Sequence, residues 1–225
     1  MNRALFLIII GLGGVAILCA LGLWQVQRLA WKQGVIAQID ARIHATPVAL
    51  PKSPDANVAA YLPVTADGRL IGDTLRVLVS QKTKGAGYRL ITAFESDGRR
   101  VLVDRGFIAV DAGDVETPVA DITVTGNLQW PQETDGFTPA PDTENNIWFA
   151  RDVPAMAAAL NAEPLLIVAR KLTPSDPAVA PFPVDTSRIP NDHLQYAITW
   201  FSLAAIWFAM SALFLRRRRA NLSES

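Results

Sequence analysis

The chain has 225 residues, half of them hydrophobic, with 21 basic against 21 acidic side chains, one cysteine and two histidines. Zero net charge removes the electrostatic footprint of a nucleic-acid binder, and so few thiols and imidazoles cannot build a zinc cage, an iron–sulfur cluster or a binuclear copper site. The apolar residues concentrate at the two ends, so length alone does not give the domain organisation.

No charged residue occurs from Ala4 to Gln27, and Ala4 to Trp24 is almost wholly apolar, the length a helix needs to cross a hydrocarbon core. The rival reading is a signal peptide, with Ala16, Ala20 and Gly22 as small residues near a cleavage site. The run exceeds the usual apolar core of a signal, and Trp24, Gln25 and Gln27 follow it, which favours an uncleaved anchor over residues 4–27. An apolar run beginning at the fourth residue leaves no room for an Arg-rich transit leader, which points to a bacterial inner-membrane protein. A second apolar run, residues 194–215, is the second span, and residues 216–225 form a basic tail.

Two spans place both termini on one side. Arg3, Arg216, Arg217, Arg218 and Arg219 flank the terminal ends, against Arg28, Lys32 and Arg188 on the connecting segment. Moving the arginine block through the bilayer would cost on the order of 10 kcal/mol. The expectation is cytoplasmic termini and a periplasmic domain over residues 28–193, which holds 20 acidic and 16 basic residues. That domain has no cysteine to brace it; Cys19 lies inside the first span as a small buried thiol.

Beyond the first span, Leu29, Val35, Ile36, Ile39 and Ile43 continue a helical pattern to Ala45, until Pro47, Pro51 and Pro54 break it. From Leu62 onward the pattern becomes short β-type runs: Leu75 to Gln81, Tyr88 to Glu95, Arg100 to Val110, Ile122 to Gln129, Ile147 to Ala150 and Leu165 to Lys171. Ser96-Asp97-Gly98 joins two of them as a hairpin. One short helix, Val153 to Asn161, interrupts the series, and Pro174 to Pro190 reads as a stiff tether back to the membrane. The fold class is therefore a membrane protein with two transmembrane α-helices flanking a mainly antiparallel β domain, barrel or sandwich, with a short helix.

Tests for an enzyme find no nucleophile elbow, no zincin motif, no P-loop and no dinucleotide fingerprint. His44 stands beside a proline-rich stretch as a solvated residue. Acidic residues sit mostly in turns such as Asp97-Gly98 and Asp135-Gly136. No spacing singles out an acid/base pair, so the expectation is a protein that is not an enzyme.

The most informative stretch opens the second span. At 100° per residue, His193, Tyr196, Trp200 and Trp207 share one side of the helix. One reading is an interfacial belt that anchors the helix at headgroup level. The other is an imidazole at the membrane boundary, with aromatic rings below it, ligating the iron of an apolar porphyrin. Arg28 and Lys32, at a similar height on the first helix, would meet the propionates. Trp24-Gln25-Val26-Gln27-Arg28 mixes aromatics, amides and cations; snorkelling explains the cations but less easily the amides. Ala16 with Ala20 and Ala205 with Ala209 offer small surfaces for helix approach. In the outer domain, Val103-Asp104-Arg105-Gly106-Phe107 reads as a buried strand interrupted by a structural ion pair at a bulge, with Gly106 in a conformation closed to other residues.

Four segments together resemble the Surfeit locus protein 1 family, which includes the Shy-type cytochrome oxidase assembly factors. They are Trp24-Gln25-x-x-Arg28-x-x-x-Lys32, Gly87-Tyr88, Val103-Asp104-Arg105-Gly106-Phe107 and His193-Leu194-Gln195-Tyr196-Ala197-Ile198-Thr199-Trp200. The resemblance covers essentially the whole chain. Phe107 stands where tryptophan is common and Ala93 where proline is common. The resemblance implies an assembly factor for haem-copper terminal oxidases that binds haem a and promotes its insertion into subunit I. It implies His193 as axial ligand, with Tyr196, Trp200, Trp24, Gln25, Arg28 and Lys32 around the cofactor. The implied partners are subunit I, the enzyme that makes haem a, and the lipid bilayer, with no nucleic acid. The alternative is a scaffold that stabilises an oxidase intermediate without binding haem. A further alternative is a periplasmic enzyme with a carboxylate site in the β domain.

Overall fold

The computed structural model describes residues 3–223, except 82, 83, 114, 116, 119 and 188, with side chains described over residues 5–217. Arg188, counted above among the flanking cations, lies outside the described residues. The chain divides into two units: residues 1–38 with 186–225, and residues 39–185.

The first unit is a helix pair. Helix α1 runs Arg3–Ile43 and α4 runs His193–Ser223. At 1.5 Å per residue α1 is about 60 Å long, so it outreaches any bilayer core. Both helices are long and apolar enough to span a membrane, and only 11% and 6% of their most apolar windows are buried. Such exposure of leucine, isoleucine and phenylalanine suits lipid and is the reverse of a soluble core helix. Residues 216–223, expected as a tail, continue α4.

The two helices meet along a stripe that alternates steps of four and three residues. On α1 it includes Gly11, Val15, Leu18, Gly22 and Gln25, and the same less exposed face continues past the start of α4 through Leu29, Lys32 and Ile36; on α4 it includes His193, Ala197, Trp200, Ala204, Ser211 and Leu215. That spacing keeps one seam facing a partner helix. The pairing is antiparallel: Gly22 faces the Phe201 ring, Gly14 the Trp207 indole and Gly11 the Ser211 side chain. The small residues of the contact are thus Gly11, Gly14, Gly22, Ala197 and Ala204. Ala16, Ala20, Ala205 and Ala209 point outward. Glycine, with no Cβ, lets a helix approach an aromatic ring more closely than alanine allows.

The second unit is a closed barrel. Strands β1 (Val48–Ala49), β2 (Pro63–Gln81), β3 (Gly85–Ser96), β4 (Arg99–Ala109), β5 (Asp121–Gln129), β6 (Ile147–Trp148) and β7 (Leu166–Thr173) form one sheet. Helix α2 (Ala56–Ala59) precedes β2, and α3 (Val153–Ala159) precedes β7. The ring runs β2, β3, β4, β7, β5 and back to β2. It closes because β2 is 19 residues long: Pro63 to Arg69 pair with β5, and Arg69 to Gln81 with β3. All ring contacts are antiparallel except β4 with β7; β1 and β6 add to β2 in parallel.

Alternation along the strands sorts two cores. Val64, Leu70, Phe94, Val101, Val103, Val124, Leu128 and Ile167, drawn from all five ring strands, fill the interior. Leu75, Val77, Ile91, Leu102, Leu166 and Val168 face outward and are covered by Trp148 and by Val153, Met156 and Ala157 of α3. Asp152 caps α3 by accepting from the Ala155 amide at 3.1 Å, and Pro154 sits in its first turn.

The sequence placed most strands within a few residues. Asp97 (φ 49°) and Gly98 (φ 73°) turn the β3–β4 hairpin as expected. Two expectations change. The β2 strand starts at Pro63, twelve residues before the run read from Leu75. The segment read as a tether is partly barrel wall: Ala180 exchanges backbone hydrogen bonds with Phe107 (2.8 and 2.9 Å), and Val179 and Phe182 are buried.

Candidate functional site

Within the helix pair, Gln25 and His193 come together. Gln25, at 8% exposure, is a buried polar residue on an otherwise apolar stretch, and its Oε1 lies 2.8 Å from His193 Nδ1. A buried polar side chain needs a partner, and this contact supplies it. An amide oxygen only accepts, so the hydrogen belongs to Nδ1. The other ring nitrogen, Nε2, has no hydrogen-bond partner among the described residues, and the His193 side chain is only half-buried. A neutral imidazole held in this way presents a lone pair on Nε2, the form in which histidine ligates metals. The donor chemistry therefore fits one axial position of a porphyrin iron, and no larger cluster: among the described residues no three His, Cys, Asp or Glu gather at a metal-binding distance.

The other expected residues surround this pair unevenly. Lys32 is half-buried and follows Gln25 by seven residues on the same stripe. Arg28 is exposed and lays its guanidinium over the Trp31 ring, 3.9 Å from the centroid. Trp24 (54% exposed) and Tyr196 (55%) project outward, while Trp200 is half-buried on the α4 stripe. Trp207, expected on the histidine's side, packs its indole against Gly14. Cys19 is half-buried and unbonded. In the other unit, His44 is exposed and its Nδ1 lies 2.9 Å from the Asp40 carbonyl oxygen, a local helix-end contact. Sequence reading had both Gln25 and His193; it missed that they are partners, because 168 residues separate them.

Within the barrel unit, the Asp104-Arg105-Gly106 motif is a bulge, as expected. Leu90 pairs with Gly106 and Ile91 with Asp104, leaving Arg105 as the extra residue. Gly106 has φ 132°, and a Cβ there would overlap the Ala180 carbonyl. The ion pair within the motif is a correction. Asp104 is fully buried and accepts from Arg89 Nε at 2.5 Å, with Arg151 4.0 Å away, while Arg105 pairs with Asp176. Each charge is instead met by an opposite charge from another segment, Asp104 by Arg89 of β3 and Arg105, the bulged residue, by Asp176 beyond β7.

Around Asp104 a charge cluster forms that no motif announced. Arg89 also donates to the Phe182 carbonyl at 2.8 Å and stacks on the Phe182 ring at 4.1 Å. Arg151 donates to Glu133 and, at 2.7 Å, to Gln129 Oε1. Burial pushes the Asp104 carboxyl above the usual carboxylate range against the pull of the two guanidinium groups. Burial lowers Arg89 despite Asp104. Burial also opposes Glu133, but the hydrogen bonds from Arg151 outweigh it and hold that carboxyl below its ordinary value. Two cations and two anions balance, which is how such groups persist in a protein interior.

Comparison with known proteins bears on the whole chain. The SURF1 family profile matches residues 12–205. The chain is 32% identical over 219 residues to Surfeit locus protein 1 of Homo sapiens, covering 84% of this chain and 72% of that protein. It is 32% identical over 218 residues to a SURF1-like protein of Drosophila melanogaster, with the same coverages. It is 33% identical over 228 residues to a SURF1-like protein of Monosiga brevicollis, covering 90% and 85%. The matched span takes in Gln25, Arg105, Gly106 and His193, so with two membrane-capable helices flanking a barrel, the chain belongs to the SURF1 family.

Proposed function

We propose that the protein is an assembly factor for a haem-copper terminal oxidase of the cytochrome c oxidase class, which binds haem a through His193 and promotes its insertion into subunit I. The observation that carries this reading is the Gln25–His193 contact, which leaves Nε2 as the open nitrogen on a half-buried ring. Haem, if bound, would supply redox-active iron, and His193 Nε2 would be the nitrogen that holds it. The chain's residues do the rest. Gln25 orients the ring, Trp24, Tyr196 and Trp200 offer apolar surface, and Arg28 and Lys32 offer cations for the propionates. One imidazole on an exposed helix pair binds without enclosing, which suits a carrier that must release its cargo. No covalent step is required, so the protein acts by binding and not by turnover.

The basic flanks support, as part of this proposal, cytoplasmic termini in a bacterial inner membrane with the barrel on the periplasmic side. Subunit I, and the enzyme that makes haem a, are then partners met laterally within the bilayer. The scaffold reading has one observation in its favour: the same hydrogen bond can serve as an interhelical staple. Purification from a host that makes haem a separates the two. The carrier reading expects stoichiometric pigment, with His193→Ala lowering occupancy and shifting the visible spectrum. A colourless preparation, or a His193→Ala variant with unchanged occupancy and spectrum, overturns it.

A further inference from the structure

We infer that Gln25 is a positioning residue that locks His193 in the Nδ1–H tautomer and fixes the ring so that Nε2 is the nitrogen offered to iron; the iron clause rests on the haem-binding reading above. Three observations combine. Gln25 is buried, at 8% exposure, so its amide is costly unless partnered. Its oxygen meets Nδ1 at 2.8 Å, within the normal range for a nitrogen donor. The residue also lies three positions after Gly22, which packs closely on the Phe201 ring, so the approach of α1 to α4 holds the amide where the ring needs it.

The chemistry of the contact is asymmetric. With Nδ1 protonated, the lone pair is confined to Nε2, and the hydrogen bond adds electron density to the ring, making that lone pair a better donor. Partners of this kind are worth 10–100-fold in metal affinity. Removing the amide frees the ring to rotate and to place its proton on either nitrogen. A ring protonated on Nε2 has no lone pair to give there.

The test begins without haem. The chain has two histidines, so the full-length protein, labelled with 15N-histidine in lipid nanodiscs, gives two imidazole spin systems, and His44→Gln assigns them. At alkaline pH, where imidazole is neutral, His193 is expected as a single Nδ1–H tautomer. Gln25→Leu, which keeps the volume and the apolar packing, is expected to give a mixture of tautomers. Gln25→Glu, whose carboxylate oxygen also accepts, is expected to restore the single form. In preparations from a haem a-producing host, Gln25→Leu should lower haem affinity about 10–100-fold. Gln25→Glu should keep haem bound and lower its reduction potential.

A parent His193 protonated on Nε2, or a tautomer unmoved by Gln25→Leu, overturns the inference even if His193→Ala still abolishes haem binding. Conversely, a tautomer that responds to Gln25 as expected, with haem occupancy indifferent to His193→Ala, upholds the positioning role and overturns the iron clause together with the haem reading.

Discussion

Asp104 and Arg105 are adjacent in the chain and both buried, yet their partners come from different segments: Asp104 is held by Arg89 of β3 and Arg105 by Asp176, beyond β7. Arg105→Ala would strand the Asp176 carboxylate, itself only 8% exposed, without its cation. Breaking a buried pair from one side costs about 3–5 kcal/mol. The thermal midpoint of the variant should fall well below that of the parent in differential scanning calorimetry. Equal midpoints would show that the pair is not structural.

Gly106→Ala meets two penalties at once, a backbone at φ 132° and overlap with the Ala180 carbonyl. Strain of this kind costs about 1–3 kcal/mol, and the strap carrying Val179 and Phe182 is what must give way. Limited proteolysis should cut between Pro174 and Asp185 faster in the variant. Gly98→Ala is the control: φ is 73° there but the space is open, so it should be milder and leave the strap protected.

Acid should weaken the barrel through specific carboxylates. The hydrogen bond from Arg99 holds the Glu163 carboxyl below its ordinary 4.5, and Arg151 does the same for Glu133. Groups lowered on folding contribute stability that is present above the unfolded value and lost as pH falls through the folded one. Asp104 has the opposite sign: raised by burial, it takes its proton at higher pH when folded, so its protonation favours the fold as pH drops. Urea midpoints should hold from pH 7 to about 5 and fall below about 4.5. Glu133→Gln with Glu163→Gln should flatten that fall; an unchanged pH profile would contradict the assignment.

The helix pair depends on close approaches at Gly11, Gly14 and Gly22. A Cβ on Gly14 would overlap the Trp207 indole, whereas one on Gly13 would meet nothing within 4 Å. Gly14→Ala should therefore change the tryptophan near-ultraviolet circular dichroism and weaken the helix contact, while Gly13→Ala should leave both unchanged. Identical spectra for the two variants would mean that the seam lies elsewhere.

Much of this architecture was readable along the chain. The runs that begin at Tyr88, Arg100, Ile122 and Leu165 are rich in β-branched and apolar residues, and Asp97-Gly98 supplies a turn that favours one connection. The first half of β2 was not readable, because Asp67-Gly68-Arg69 looks like a loop. Gly68 is there because a Cβ would overlap the Glu95 carbonyl where β2 and β3 run close, a need invisible without the partner strand. Prolines 174 to 190 advertised a linker, and only the neighbouring bulge at Gly106 explains why Val179 and Phe182 lie against the barrel.

The candidate site was legible by residue type and not by pairing. His193 and Gln25 each stood out as polar groups at the edge of an apolar run, but periodicity within one helix cannot say which face meets another helix. The same limit hid the Arg89–Asp104–Arg151–Glu133 cluster, whose members lie on separate segments with no fixed spacing. Adjacent charges suggested a pair in Asp104-Arg105, but Arg89 and Asp176, from other segments, are their partners.

The ring of strands closes with Thr173, 20 residues before His193. During synthesis, at roughly 5–20 residues per second, every ring strand has left the ribosome before the second span begins to emerge. The domain can therefore finish folding before α4 is available, and the contacts of the helix pair, Gln25–His193 among them, form after it. An unfinished polypeptide would carry a complete barrel but not His193, and Gln25 would be left without its partner.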